Sequence, residues 1–318
     1  MYIIFVFVLS ISVLGLFGNA MVFWAVKKHR DLRTKHGVLL SFLCLYQSLV
    51  LLLELFSSSR NLIGKITHRS ACFYSLLPLS IAANIQLTLI FVISLDIIFL
   101  VVRPTKYNII QVFPYVYLVQ APCIVSAAVF LIMGVISVDN ERIEACNISL
   151  SYPHKIHFLW NLWVIGISTA IMAVYTVTAL IMWFRDWQNV SKLEGSCVLD
   201  PSLRYQRKMI RTLSVFISVF FCSGFASAIM ILSSKLMLHS DSEAVVESYA
   251  TIPAVISCSQ NFYVYNVTSK DFRKAFKKNF NTLWKWKNTK FSRTNPLFQI
   301  TMSGRKSAVN VITMNTNS

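Results

Sequence analysis

Long apolar runs alternate with short polar stretches along most of this chain. The runs cover residues 3–26, 37–59, 72–102, 114–138, 158–184, 209–234 and 244–267. A helix rises about 1.5 Å per residue, so each run is long enough to cross a hydrocarbon core of about 30 Å. The odd number of runs and the absence of a visible repeat weigh against an inverted-repeat transporter. The pattern predicts an all-α membrane protein, a seven-transmembrane-helix bundle over residues 1–267.

After the seventh run the pattern changes. Phe272, Phe276 and Phe280 recur every four residues with Lys and Arg between them. Ser269 can cap the start and Asp271 suits the first turn. An amphipathic helix lying in the membrane interface is expected over 268–282. Trp284 and Trp286 among lysines extend that interfacial character. Residues 283–318 are polar and basic and read as a disordered tail. No cysteine follows Cys258, so this segment has no palmitoyl anchor.

Composition sharpens the picture. A chain of 318 residues could hold two soluble domains, but it is 55% hydrophobic and only 14% charged. Soluble domains carry about a quarter charged residues, and this chain could not cover its own surface in water. The net charge of +17 does not form a nucleic-acid face, because the basic residues sit between apolar blocks. Of the 30 Lys and Arg, 24 lie after the first, third and fifth runs, at Arg211, and in the C-terminal tail. The other loops hold 6. Positive charge collects in the cytoplasm, so the N-terminus is expected outside and the C-terminus inside. The sequence enters its first apolar run almost at once, without a basic leader or a cleavage site. A cleavable signal peptide is therefore not expected, and the outer N-terminal segment of this sequence is nearly absent.

A few polar groups interrupt the runs, where hydrocarbon offers no hydrogen bonds. Asn19 follows Gly18, and Gln47 and Glu54 share the second run. Asn84, Gln86 and Asp96 share the third, which is therefore expected at the bundle centre. Glu54 must be protonated, paired or facing a water-filled cavity. A ligand role and a structural hydrogen bond both fit it. Cys72 and Cys146 fall on the outer, oxidising side. Cys44, Cys123, Cys222, Cys258 and Cys197 read as packing or reduced thiols. Asn147-Ile148-Ser149 is a glycan acceptor on the outer side. The same pattern at Asn189 and Asn266 lies inside or within the membrane.

The spacing of these residues resembles the rhodopsin-like (class A) G-protein-coupled receptors, and most of all the nematode serpentine chemoreceptors of the SX class. The resemblance covers residues 1 to about 282. Gly18-Asn19 stands at the Gly-Asn of helix one. Gln47 stands where most members carry the aspartate of a sodium pocket. Cys72 matches the cysteine atop helix three and Cys146 its partner, which implies a disulfide. Asp96-Ile97-Ile98 occupies the Asp/Glu-Arg-Tyr position, with Pro104 and Tyr107 fixing the register, so Ile97 replaces the arginine. Asn261 and Tyr265 match Asn-Pro-x-x-Tyr without its proline. Phe216 and Phe220 stand in for the helix-six aromatics, and Tyr175 for the tyrosine of helix five.

The resemblance implies a chemosensory receptor of the plasma membrane that binds an extracellular ligand and signals to a heterotrimeric G protein. The ligand is expected among Glu54, Leu79, Ala83, Asn84, Trp160 and Trp163. The switch groups would be Asn19, Gln47, Asp96, Ile97, Tyr175, Asn261 and Tyr265. Contact with the G protein would come from Arg103, Pro104, Arg204, Arg207, Lys208 and Arg211. Restoring arginine at Ile97 should raise coupling if that switch is the only missing part. Leu79 stands where amine receptors place an aspartate, and Val255 where opsins carry the retinal lysine. Neither ligand class is indicated. A second reading is a seven-helix ligand-gated channel or transporter subunit, with Glu54, Gln47 and Gln86 lining a polar path. Partners are thus membrane lipid, the G protein and the ligand, with no nucleic acid. No phosphate loop, metal cluster or catalytic triad stands out, so no cofactor and no enzyme activity are expected.

Overall fold

The computed structural model describes residues 2–63, 67–143, 146–192, 212, 214–237 and 240–294. They are almost entirely helical. In order come α1 (Tyr2–Lys28), a 3-10 turn (Arg30–Leu32), α2 (Lys35–Ile63), β1 (Thr67–His68) and α3 (Arg69–Val102). Then follow α4 (Pro104–Ile109), α5 (Val112–Ser137), β2 (Arg142–Ile143), α6 (Ile148–Ser151) and α7 (His154–Lys192). Next is α8 (Ser214–Ser233), whose helical backbone runs on to Met237 and contains a π-helical turn, Phe221–Phe225. Last are α9 (Ser240–Ser259), α10 (Asn261–Thr268) and α11 (Lys270–Thr294). Residues up to Arg273 form one compact unit and those from Lys274 another. The bundle is the first.

Six described helices, α1, α2, α3, α5, α7 and α8, are long and apolar enough to span a membrane. The seventh is carried by α9 and α10. The apolar helix described there is Tyr249–Ser259. The expected run 244–267 is also divided at Gln260, which separates α9 from α10. The sixth run is described from Ser214, with Thr212 alone before it. The last helix extends beyond the expected 268–282, reaching Thr294. No Gly or Pro follows Lys270 until Pro296, so nothing local stops it.

The core lies on α3. In its apolar window 67% of residues are buried, against 39% or less in the other five spans. Its polar residues Asn84, Thr88, Ser94 and Asp96 are buried with it. Apolar side chains such as Phe7, Leu14, Tyr117, Leu118 and Ile136 point outward instead. Lipid is as apolar as they are, so they cost nothing there, and the packing gain goes to the helix with polar groups to hide.

Small residues set the closest crossings. A Cβ on Gly15 would lie 2.6 Å from Ser259 Cβ, and one on Gly18 2.8 Å from Phe262 Cβ. The bare glycine faces let α1 reach α9 and α10.

At the Cys72 end, the connection between α5 and α7 lies across the bundle. A disulfide joins Cys72 to Cys146, with Cα atoms 5.6 Å apart. Thr67 pairs with Ile143 and His68 with Arg142 in a two-stranded ladder. Asn61 clamps the Cys146 backbone: its Oδ1 accepts from the N–H at 2.8 Å and its Nδ2 donates to the carbonyl at 3.1 Å. Ser57 Oγ donates to the same carbonyl at 2.7 Å. Arg69 reaches Asp139 and Glu141, but the acids are 45% and 66% exposed, and such pairs contribute little. The lid is held by its disulfide and its backbone clamp.

Gly15→Ala should overpack the α1–α9 crossing at a cost of about 1–3 kcal/mol. The purified protein should unfold several degrees lower. Gly166→Ala is the control, since an added Cβ there meets nothing within 4 Å. Its midpoint should not fall.

Candidate functional site

A cavity of about 130 Å³ opens between α2, α3, α7, α8 and α9, under Ile148 of α6. Of the residues expected to meet a ligand, Glu54, Leu79, Ala83, Asn84 and Trp160 line it. Trp163 does not. Its ring packs on Phe130 of α5, centroids 5.9 Å apart. It lies three residues on from Trp160, about 60° short of a full helical turn, and meets α5 instead. Sequence reasoning did not propose Asn161, Phe220, Gly224, Ser227 or Cys258 as ligand-facing, yet all are in the wall. Asn161 left a signal, an amide inside an apolar run beside a tryptophan. The small residues of α8 left none.

Aromatic and polar contacts fix the wall near the lid. Trp160 Nε1 donates to Asn84 Oδ1 at 3.2 Å, and Asn84 Nδ2 donates to Ser80 O at 2.9 Å. The Ser80 and Tyr152 hydroxyls are hydrogen-bonded. Tyr152 also stacks on Trp160 at 6.4 Å, nearly parallel, and meets Phe73 edge-on at 5.4 Å. Burial pushes the Tyr152 hydroxyl pKa up, with the Ser80 bond opposing it. It therefore stays neutral. On the opposite wall Gln86 Nε2 lies 3.4 Å from Cys258 Sγ.

Three wall groups differ, one of them Ser168, which is buried with no partner for its Oγ. Glu54 has no hydrogen bond or ion pair among the described residues, and it also borders a smaller hollow of about 30 Å³ toward Ile4, Asn61 and Thr251. Asn161 is buried and donates from Nδ2 to Ala228 O at 3.4 Å, while its Oδ1 has no partner.

The expected switch residues fall into separate groups. Asn19, Gln47 and Asn261 meet in one buried cluster. Asn261 Nδ2 donates to Asn19 Oδ1 at 3.0 Å and to Gln47 Oε1, with Cys44 Sγ at 3.2 Å. Asn19 Nδ2 donates to Cys258 O at 3.1 Å, linking this cluster to the cavity wall. Tyr265 pairs with His36, hydroxyl to Nε2 at 3.0 Å, and rests on Phe272 at 4.9 Å. Tyr175 pairs with Ser214.

At the Arg103 end, Asp96 is 2% exposed. It accepts from Tyr115 at 2.7 Å and from Tyr107 at 3.1 Å. Lys35, itself buried, donates to the Tyr107 carbonyl and lies 4.0 Å from that ring's centroid. Tyr107 thus holds Asp96 as well as marking the register, and Tyr115 and Lys35 join it from α5 and α2. Pro104 opens α4 at its first turn, where a missing N–H costs nothing. Ile97 is 1% exposed. Arg204, Arg207, Lys208 and Arg211 lie outside the described residues. Asn147, the expected glycan acceptor, is buried and caps α6 by accepting from Leu150 N at 2.7 Å. A glycan would have to be attached before that cap closes.

The family model for the Serpentine type 7TM GPCR chemoreceptor Srsx matches residues 12–280, from within α1 to within α11. The chain belongs to the Srsx serpentine chemoreceptors. Srsx is a family of seven-helix chemosensory receptors, not an enzyme class. The Srsx match includes every element that lines the cavity. This chain is accordingly a multi-pass membrane protein, of a kind that sits in the plasma membrane. No curated protein matches the chain.

Tyr115→Phe deletes the shorter of the two donors to Asp96 and should cost about 1.5–3 kcal/mol, the range for hydrogen bonds to charged groups. Tyr107→Phe should cost less. Because both donors serve one carboxyl, the double variant should depart from additivity. Thermal unfolding of the four purified proteins measures this.

Proposed function

We propose that this receptor binds an extracellular ligand in the 130 Å³ cavity and passes the event to a heterotrimeric G protein at the Arg103 end. The continuity of buried polar contacts from that cavity toward the other end supports the reading. Cys258 lines the cavity, its carbonyl holds Asn19, and Asn19 holds Asn261. Tyr265, four residues on, meets His36. The charge distribution supports a Cys72 end outside and an Arg103 end in the cytoplasm.

Signalling is then a population shift. A ligand between α3 and α8 favours the state in which α8 moves at its cytoplasmic end. The π-helical turn Phe221–Phe225 sits beside the cavity, with Gly224 in its wall. Such turns interrupt the regular helical ladder and often mark functional positions. Arg103, Pro104, Arg204, Arg207, Lys208 and Arg211 offer the cytoplasmic contact. The channel reading loses support, because Gln47 is bound to Asn261 and Gln86 to Cys258. Of its three proposed lining groups, Glu54 alone stays without a partner.

In cells expressing the full chain with a promiscuous G-protein reporter, a ligand screen should find a second-messenger response that requires the G protein. Ligand-evoked current without G protein would overturn the proposal. An N-terminal epitope should be reachable on intact cells. Cys72→Ser and Cys146→Ser should each sharply reduce surface delivery, since loss of such a bridge costs about 2–5 kcal/mol. Ile97→Arg should lower surface delivery too, because the arginine would enter a site that is 1% exposed.

A further inference from the structure

We infer that the cavity ligand is a small organic cation, a protonated amine on an apolar body of about six to ten heavy atoms, held by Glu54 and Asn161. This rests on the proposal that the cavity is the ligand site, and it names the chemistry that the site accepts.

Size comes first. The cavity measures about 130 Å³. An engineered cavity of about 150 Å³ accommodates benzene, so one ring or an equivalent chain is the appropriate body. The wall is largely apolar, with Val50, Leu79, Leu87, Phe220, Ile231 and Val255. That surface favours a hydrocarbon body.

Polarity decides the rest. Asn84 already bonds to Trp160 and Ser80, and Gln86 to Cys258. Three wall groups have no partner among the described residues: the Glu54 carboxyl, Asn161 Oδ1 and the Ser168 hydroxyl. All three can accept, and they come from two helices, Glu54 from α2 and the other two from α7. A ligand that completes this site must bring hydrogen-bond donors. Among the described residues no Lys, Arg or His lines the cavity, so Glu54 has no protein cation there. An ammonium supplies both the donors and the missing charge. An anion would meet Glu54 and no compensating group. A pure hydrocarbon would leave all three desolvated and unfilled. Leu79 on α3 had argued against amines. The structure places the acid on α2 instead, in the wall of the same cavity as Leu79.

The test uses the full-length receptor purified in detergent, with thermal unfolding as the binding readout. The probes are benzylamine, hexylamine and cyclohexylmethylamine, with ethylbenzene and benzoate as neutral and anionic counterparts. The amines should raise the unfolding midpoint in a saturable way, ethylbenzene weakly, and benzoate not at all. Glu54→Gln should weaken amine binding about 30-fold or more, because it removes one partner of a buried charge pair. It should leave ethylbenzene unchanged. Asn161→Ala should weaken the amines about tenfold. The inference is overturned if no amine stabilises the receptor, if ethylbenzene or benzoate binds as tightly, or if Glu54→Gln binds amines as well as wild type. Should Glu54→Gln not fold, the wild-type series still ranks the charge classes. The G-protein reporter separates the two proposals. Amine binding without a response overturns G-protein signalling and leaves the ligand class standing. A response only to neutral or anionic compounds does the reverse.

Discussion

Hydrocarbon cannot hydrogen-bond, so every polar group inside a spanning bundle needs a partner from the protein itself. This constraint organises the chain around α3. Asn84, Thr88, Ser94 and Asp96 would be costly against lipid, and burying them draws the other spans around that helix. Asn84 is then met by Trp160 of α7, Thr88 by Ser126 of α5, and Asp96 by Tyr107 and Tyr115 of α4 and α5. The partners come from three elements, α4, α5 and α7, so satisfying the polar groups also fixes which helices are neighbours. Glu54 and Asn161 depart from the rule at one cavity. An unsatisfied acid is expensive in most of a bundle, and its presence beside open space is what supports the proposal that the cavity is a binding site rather than a packing fault.

The lid answers a different problem. A connection laid across a bundle end exposes backbone groups that need fixed partners. Asn61 and Ser57 supply them at Cys146, beside the disulfide to Cys72. One residue thus carries the covalent link and receives the polar clamp. Tyr152 then reaches from the same connection to Ser80 and stacks on Trp160. The lid and the cavity wall are therefore one structure, and a shift in Trp160 would be felt by both.

The architecture was legible because its cause is crude. Apolar length and loop charge act over twenty residues at a time, and errors at single positions average out. The polar residues within runs were legible for a related reason, since an amide in hydrocarbon announces that it is buried. Direction around a helix was not. Trp160 and Trp163 are both large aromatics in one apolar run, and nothing local says which faces the cavity and which faces Phe130. Tyr115 was invisible for the opposite reason. A tyrosine near a membrane boundary is ordinary there, and its bond to Asp96 depends on how α5 docks against α3. Gly224 and Ser227 matter by being small, and absence of bulk leaves no pattern in a sequence.

The tyrosine pair also bears on Ile97. In the receptors that this chain resembles, the arginine at this position stabilises the resting state and meets the G protein. Here Asp96 is occupied without it, by two hydroxyls, with Lys35 close to both rings. An acid held in this way needs no adjacent arginine, and a buried isoleucine packs better than a charge in the space beside it. The contacts of Asp96 thus lie at the joints between α3, α4, α5 and α2. A movement of α4 or α5 would break them, whereas an arginine on α3 would have responded to the helix across the bundle. Under the proposed signalling, α4 would be the element to sense the active state, since it follows Arg103 at the face proposed for the G protein.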